Sequence, residues 1–300
     1  MNITPKQLRL FLALVETESI TAAARRCHVT QPTASMQLRG VSEAVGLPLY
    51  EFSGRRFRLT EAGQALAAAA RQVEQAWEVF AQQTAALRGL ERGHLRVAVV
   101  STAKYFVPRW LGRFCQAHPE VDVALEVLNR DGVVQRLRDQ RDDLYVMSHP
   151  PTDLALTTHV LMPNRLYLIA PESHALAGQA CVPLSAFADD RFIVRESGSG
   201  TRWAMSQAFS RLGFQPRSVM VLGSNEAIKE AVAGGLGVAV LSEHAIHRAP
   251  VAGVAVVEVE GLPWPAQWYA VHPAGAPLAP IASAFLNHLL SAALGDDALA

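Results

Sequence analysis

The chain has 300 residues, of which 50% are hydrophobic and 18% charged, and its 27 Lys+Arg equal its 27 Asp+Glu in number. This length predicts about two domains with sizeable cores, and the composition excludes a disordered chain. The apolar runs are far shorter than the roughly 18 residues that span a bilayer, and no signal peptide is visible. Three scattered cysteines without metal-ligand spacing, Cys27, Cys115 and Cys181, predict reduced thiols in a cytoplasmic protein.

The first 60 residues predict three short helices with an excess of positive charge. Thr4 and Pro5 begin the first helix, because an N-cap threonine followed by proline is a helix-start pattern. Ser19 caps the second helix and Thr30 the third, with a tight turn between them. Residues 1–60 contain 8 Lys+Arg against 4 Asp+Glu, a balance that suits a module contacting phosphates.

The third predicted helix has one apolar and one polar side. Its buried face is predicted at Ala34, Leu38, Val41 and Val45, and polar side chains lie opposite and near its start. Such a helix end can enter a DNA major groove and offer its amides to phosphate. The alternative is an ordinary pair of amphipathic surface helices. The candidate DNA contacts are Thr30, Gln31, Pro32, Thr33, Ser35, Met36 and Arg39.

A hairpin with clustered arginines is predicted next, from residues 49–52 and 56–59 with a turn between them. Arg55 and Arg56, with Arg58 nearby, suit the wing of a winged helix-turn-helix that contacts a minor groove or the backbone. The alternative is a solvated hairpin with incidental charge. We predict Arg55 and Arg56 as DNA contacts.

A long helix is predicted from Thr60 and Glu61 up to Gly89 and Gly93. Apolar residues recur every seven positions, and a second series follows three residues later. The two series are Leu66, Val73, Phe80 and Leu87, and Ala69, Ala76 and Leu90. We call these two series of apolar residues the seam, and such a seam is typical of a dimerisation helix. The alternative is one long helix packed on its own domain, which would give a similar stripe.

These runs together resemble the LysR-type transcriptional regulators, most specifically in TAAARRCHVTQPTAS and GRRFRLTEAG. The resemblance covers the whole chain. It implies an α/β protein with an N-terminal winged helix-turn-helix, a long dimerisation helix and a two-lobed effector-binding domain of periplasmic-binding-protein type. The implied domains are 1–60 for DNA binding, 61–90 for the linker helix and 91–300 for the effector domain, with lobe I at 91–161 and 267–300 and lobe II at 162–266. The implied partners are double-stranded promoter DNA, a second copy in a homodimer that assembles into a homotetramer, and RNA polymerase.

From His94 onward, apolar strands alternate with amphipathic helices. The run LRVAVV is nearly continuous in apolar residues, as a strand covered on both faces requires. It begins a parallel βαβαβ unit, and a second unit begins near 166–170. A strand at 268–272 and the last helix are predicted to return to the first lobe.

Loops at the carboxyl ends of these strands are rich in hydroxyl and amide groups, and ligands bind there in open α/β sheets. ESGSGT and GSNEA also begin helices, whose free amides favour an anion. We expect a small anion to bind there and the lobes to close on it; the alternative is that each serine only caps a helix. The candidate effector-binding residues are Ser101, Thr102, Lys104, Asn129, Arg130, Ser148, His149, Arg195, Ser197, Gly198, Ser199, Gly200, Thr201, Arg202, Ser224 and Asn225.

The sequence contains no recognisable catalytic or metal-binding motif. The GSG at 198–200 lacks the G-x-S-x-G of a nucleophile elbow, and the GGLG at 234–237 follows a helix, so it predicts a C-cap. We therefore predict a regulator rather than an enzyme, with no cofactor. A transporter-type binding protein shares the two lobes, but the N-terminal 90 residues argue against it. An α/β enzyme is disfavoured by the absence of catalytic groups.

Within the LysR-type family, VSTAKYFVPRWLGRFCQAHPEVDVALEVLNRD, DDLYVMS and GSNEAIKEAVAGGLG are similar to regulators of Calvin-cycle operons. That resemblance implies activation of RuBisCO genes in response to a phosphorylated metabolite or NADPH. Regulation of a different metabolic operon is the alternative. Met36 departs from the wider family, which often has a polar or basic residue there. Methionine can touch a thymine methyl group but cannot donate to guanine.

Overall fold

A computed structural model describes residues 2–53, 56–87, 93–275 and 277–296. The chain divides into two compact units, Met1–Gly89 with Asp139–Arg141, and Leu90–Arg138 with Asp142–Ala300. The elements in chain order are α1 (Pro5–Thr17), α2 (Ile20–Arg26), α3 (Gln31–Val45), β1 (Tyr50–Ser53), β2 (Arg56–Leu59), α4 (Glu61–Leu87), β3 (Gly93–Val100), α5 (Val107–Ala117), β4 (Val121–Leu128), α6 (Arg130–Arg138), β5 (Leu144–Met147), β6 (Leu156–Pro163), β7 (Leu166–Pro171), β8 (Arg191–Arg195), α7 (Gly200–Leu212), β9 (Ser218–Leu222), α8 (Asn225–Ala233), β10 (Val238–Ser242), α9 (Glu243–His247), β11 (Val254–Val257), β12 (Gln267–Pro273) and α10 (Pro280–Asp296).

The three N-terminal helices begin at the predicted caps. The Thr4 hydroxyl accepts the Gln7 amide while the Gln7 side chain accepts the Thr4 amide, which completes a capping box. The Ser19 hydroxyl accepts the Ala22 amide at the start of α2, and the Thr30 hydroxyl accepts the Thr33 amide at the start of α3. Their apolar faces meet in one buried core that includes Phe11, Leu14, Ala24, Ala34 and Leu38.

The hairpin and the start of α4 lie close together in the first unit. β1 pairs antiparallel with β2 in the register Tyr50↔Leu59. The Thr60 hydroxyl donates to the Pro48 carbonyl over 2.7 Å and accepts the Gly63 amide at the start of α4. At Gly63, a Cβ would lie only 1.9 Å from the Leu49 carbonyl oxygen. Only glycine therefore fits at this contact.

Helix α4 packs in the core of the first unit near its start and is exposed farther along. In the core of the first unit, Leu66 is partly buried, and Ala67 and Ala70 are fully buried. Farther along, Val73, Trp77 and Phe80 are 39%, 56% and 58% exposed. Ala69 and Ala76, from the predicted seam, are exposed as well. The side chain of Leu87 and residue Leu90 lie outside the described residues.

Lobe I contains a five-stranded sheet in the order β4-β3-β5-β12-β6. β3 runs parallel to β4 and β5, which confirms the predicted βαβαβ unit. β12 runs antiparallel to β5, so the chain returns to this lobe as predicted. The edge strand β6, paired with β12, was not predicted.

Lobe II contains a second five-stranded sheet, in the order β11-β7-β10-β8-β9. β8 runs parallel to β9 and β10, whereas β7 runs antiparallel to β10, so the sheet is mixed. Val238 and Val240 pack in one apolar cluster, and Ala239 and Leu241 in another. Because alternate residues point to opposite faces, both faces of the sheet are buried. β11 and the short helix α9 were not predicted.

Candidate functional site

The first turn of α3 presents polar side chains that hold one another in place. The Thr30 hydroxyl lies 2.8 Å from that of Thr33. Gln31 Nε2 donates to Ser35 Oγ over 3.0 Å. The exposed residues of this predicted DNA-contacting set are Thr30, Gln31, Pro32, Met36 and Arg39, while Thr33 and Ser35 are half-buried. These side chains therefore form one ordered surface at the start of the helix.

The hairpin is stiffened by aromatic rings. Phe57 stacks on Tyr50 at 6.1 Å and lies 5.5 Å from Phe52. Burial raises the pKa of Tyr50, and the positive charge of Arg39 opposes this with a smaller effect. Arg56 is exposed. The predicted contact Arg55 lies outside the described residues.

A cavity lies between the two lobes of the second unit. It is formed by the ends of β3 and β5 and the starts of α6 and α7, where the α/β rule predicts a ligand. Segments that connect the lobes complete its wall. The lining residues are Val100, Ser101, Thr102, Arg130, Ser148, His149, Asn164, Ser199, Gly200, Thr201 and Trp268. Eight of the sixteen predicted effector-binding residues are among them.

The N-terminus of α7 opens into this cavity. Ser199 occupies the N-cap position, but its side chain makes no capping hydrogen bond. A Cβ at Gly200 would lie 3.8 Å from Ser148 Oγ and 3.7 Å from Arg130 Cδ. The free amides of a 13-residue helix therefore meet a hydroxyl group and a cation. This combination favours an anion.

His149 is neutral at pH 7. Burial, helped by the positive charge of Arg130, lowers the pKa of His149 to about 4. Its Nδ1 lies 2.8 Å from Ser148 Oγ, and its ring packs edge-on against Trp203 at 4.7 Å. The imidazole therefore contributes hydrogen bonding to the cavity rather than charge.

Arg130 is the one cation among the described residues that line the cavity. Its Nε donates to the His149 carbonyl over 2.9 Å, and its guanidinium lies 6.0 Å from the Trp203 ring centroid. Its Nη1 is 3.6 Å from an Asp131 carboxylate oxygen. These contacts hold the guanidinium at the edge of the cavity, beside the N-terminus of α7.

The other predicted cations are engaged elsewhere. The buried Arg195 donates to both carboxylate oxygens of Glu196, to Asn225 Oδ1 and to Ser101 Oγ. Arg202 donates to the Arg195 carbonyl. Lys104 pairs with Glu226, 2.9 Å away. None of the three lines the cavity.

The remaining predicted residues surround the cavity without lining it. Asn129 Oδ1 accepts the Gly132 amide at the start of α6. Gly198 has φ +84 and faces Asp131, whose amide donates to the Gly198 carbonyl. Ser224 caps α8, and Asn225 is buried between Arg195 and Thr102. Ser197 is exposed.

Three lining residues were not predicted: Val100, Asn164 and Trp268. Asn164 follows β6, and Trp268 lies in β12, so both belong to stretches that connect the lobes. The prolines at 163 and 265 marked these crossings in the sequence. Asn164 directly follows Pro163, so its position was the available signal for that residue.

Two family models match this chain. The bacterial regulatory helix-turn-helix protein of the lysR family matches residues 5–64, and the LysR substrate binding domain matches residues 88–294. The second match alone covers more than half of the chain. The chain belongs to the LysR family. It is thus a DNA-binding transcriptional regulator with the winged helix-turn-helix and two-lobed effector-domain architecture that the sequence predicted.

Similar proteins include regulators of carbon metabolism. The RuBisCO operon transcriptional regulator of Acidithiobacillus ferrooxidans is 41% identical over 292 residues, 97% of this chain and 94% of that protein. The HTH-type transcriptional activator CmpR of Synechocystis is 38% identical over 97% of this chain and 96% of that protein. The solved regulatory domain of Synechocystis CcmR in complex with 2-PG is 40% identical, with a TM-score of 0.64, and covers 67% of this chain and 98% of that one.

Within the described residues, neither a membrane-spanning helix nor a metal-binding cluster is found. None of their helices is both long and apolar enough to cross a membrane. No three of their His, Cys, Asp or Glu side chains are grouped so as to hold a metal ion.

Proposed function

We propose that this LysR-family regulator activates a RuBisCO operon and that a small phosphorylated anion controls it from the cavity between the lobes. The observation that carries the proposal is the 41% identity to a RuBisCO operon regulator over 97% of the chain. CmpR is nearly as similar, at 38%. Regulation of a different metabolic operon by the same kind of effector is therefore the second candidate.

The chemistry of the cavity supports an anionic effector. Arg130 and the free amides of α7 supply positive potential, and Ser101, Thr102 and Ser148 supply hydroxyl groups. A relative 40% identical binds 2-PG, which is 2-phosphoglycolate, in its regulatory domain. We propose this compound, or a phosphorylated metabolite like it, as the effector. NADPH is a second candidate to be tested alongside it.

Calorimetric titration of 2-phosphoglycolate into the full chain tests the effector. Arg130→Gln removes the one cation among the described lining residues. A charge-assisted hydrogen bond is worth about 1.5–3 kcal/mol, so affinity should fall roughly 10- to 150-fold. The matched control is Arg138→Gln, at the other end of α6, where Arg138 pairs with Asp153 on the surface. Equal affinity in Arg130→Gln and wild type would refute the site.

Thr102→Val is a less direct test of the same site. Thr102 Oγ1 accepts Asn225 Nδ2 over 3.3 Å, so the hydroxyl still has its proton to donate to a ligand. The substitution removes this protein contact together with any ligand contact. A loss of affinity in this variant supports the cavity only if Arg130→Gln also loses affinity.

For DNA, we propose that α3 reads the operator and that the hairpin contacts the backbone. Arg56 is exposed, and no ion pair engages it within the described part of the chain. Arg56→Ala should therefore weaken binding to all sequences similarly and reduce the salt slope by about 1, measured by fluorescence anisotropy on the promoter. Arg9→Ala is the control, because Arg9 lies 3.7 Å from Glu74. An unchanged slope would refute the proposed contact.

We also propose that the exposed seam of α4 holds two copies together. The α3 helices of both copies would then reach one palindromic DNA site. We further propose that such dimers assemble into a homotetramer and that the protein contacts RNA polymerase.

A further inference from the structure

Trp268 lies where an irregular strand pairing meets the cavity. Gln267 pairs with Pro163 and Tyr269 pairs with Val160, so two residues of β6 lie opposite Trp268. Irregularities of this kind redirect side chains and occur often beside functional sites. Trp268 belongs to the cavity wall, on the strand that brings the chain back to lobe I.

The indole ring of Trp268 is held in one orientation by aromatic packing. Phe106 lies 5.1 Å away at an interplanar angle of 65°, and His244 lies 6.0 Å away at 64°. The residue is only 1% exposed. A ring packed in this way cannot turn its polar edge to bulk solvent.

The indole N–H of Trp268 has no hydrogen-bond partner among the described residues. Most buried polar groups are paired, and buried tryptophan N–H groups usually find an acceptor. The Oδ1 of the cavity residue Asn164 accepts the Ser242 hydroxyl over 2.7 Å and makes no hydrogen bond to the indole N–H. The cavity wall thus includes a tryptophan whose ring is held in place and whose indole N–H has no acceptor among the described residues.

We propose that Trp268 is a specificity-determining residue of the effector site and that its indole N–H donates to a second oxygen-bearing group of the bound anion. This inference rests on the proposed function. Arg130 and the α7 amides receive the phosphate, and the uncharged indole receives a carboxylate or carbonyl oxygen. The effector class is therefore a small phosphorylated acid with acceptors at both ends, rather than a simple phosphate.

The experiment uses the full chain, labelled with ¹⁵N at its tryptophan indoles. The five tryptophans give five indole N–H resonances, and Trp268→Phe identifies one of them by its loss. Saturation with 2-phosphoglycolate should move the Trp268 proton resonance downfield, as a new acceptor does, while inorganic phosphate should leave it in place. The internal control is Trp264, which packs on Phe209 in lobe II and does not line the cavity.

Calorimetry of two variants gives the second measurement. Trp268→Phe should weaken 2-phosphoglycolate by about 10-fold, the usual effect of one buried hydrogen bond to a charged group, and leave phosphate binding unchanged. Trp264→Phe should bind both anions as the wild type does. If Trp268→Phe fails to fold, Phe variants of the other four tryptophans assign the Trp268 resonance by elimination, and the spectrum of the wild-type chain decides the question.

The outcomes separate this inference from the proposed function. If 2-phosphoglycolate binds but the Trp268 resonance does not move, the inference is overturned and the effector site stands. An equal loss of both anions in Trp268→Phe also overturns it, because the ring would then act through packing. If neither 2-phosphoglycolate nor phosphate binds the wild type, the proposed effector site and this inference fall together.

Discussion

Phe80→Asp should separate the two chains of the proposed dimer. Phe80 is 58% exposed on α4, and its ring meets that of Trp77 edge-on at 6.0 Å. Val73, one heptad earlier, is exposed on the same side. Exposed apolar side chains in a row at heptad spacing are expected to be covered by a partner helix.

The magnitude follows from the exposed fraction. Burying a whole phenylalanine side chain stabilises by about 1.5–3 kcal/mol, so covering 58% of Phe80 contributes about 1–2 kcal/mol. A two-fold interface contains both copies, which doubles this to about 2–4 kcal/mol per dimer. The dissociation constant should therefore rise roughly 30- to 1,000-fold, and the unpaired aspartate adds to this.

Sedimentation over a dilution series measures the effect. Ala81→Asp is the matched control, because Ala81 is exposed on the same helix one position outside the seam. That variant should assemble as the wild type does. A Phe80→Asp dissociation constant within about threefold of the wild type, well below the 1.4 kcal/mol of a tenfold change, would refute the seam as an interface.

Two further predictions concern stability. Gly63→Ala should destabilise the first unit by about 1–3 kcal/mol or more in urea unfolding, because the new Cβ would collide with the Leu49 carbonyl. Gly40→Ala is the control: its new Cβ would have only Gln7 Nε2 nearby, at 3.9 Å, so the variant should be neutral or stabilising. The pKa of His149 is lowered from 6.5 to about 4, so the unfolded chain binds more protons between these values and stability should fall as pH drops through that window. An NMR titration of the His149 ring with a midpoint near 6.5 would contradict this, and His149→Gln should show a smaller pH slope of the unfolding free energy.

The N-terminal unit could be predicted in detail because its signals are local. An N-cap hydroxyl acts on an amide only two or three residues away, so Thr4, Ser19 and Thr30 marked their helices correctly. The heptad pattern located the exposed face of α4. The same pattern could not tell which part of that face packs on its own domain, because this depends on where α1 crosses α4.

Strand β6 shows why part of lobe I escaped prediction. Its sequence LTTHVLMP has β-branched residues, but its alternation is weak and its partner β12 begins about 100 residues later. Local pattern cannot show a pairing over that distance. Trp268 was missed for the same reason, since its place in the cavity depends on this pairing.

The cations illustrate a second limit. Lys104, Arg130, Arg195 and Arg202 looked alike in the sequence, as positive charges near loops that bind anions. Tertiary contacts make them different, because Arg195 is occupied by Glu196 and its neighbours while Arg130 remains at the cavity edge. A positive charge near such a site is therefore available to a ligand only if the fold does not pair it with another group.

The same contacts bear on how an effector could act. The lobes are bridged where Arg195 donates to Ser101, and again where the Asp131 amide donates to the Gly198 carbonyl. These bonds join residues of lobe I to residues of lobe II next to the cavity lining. A ligand shifts an equilibrium only by its difference in affinity for the two states. An anion beside Arg130 and Gly200 would therefore act by favouring the bridged arrangement over one in which these bonds are broken, and weakening a bridge should change effector affinity and DNA binding together.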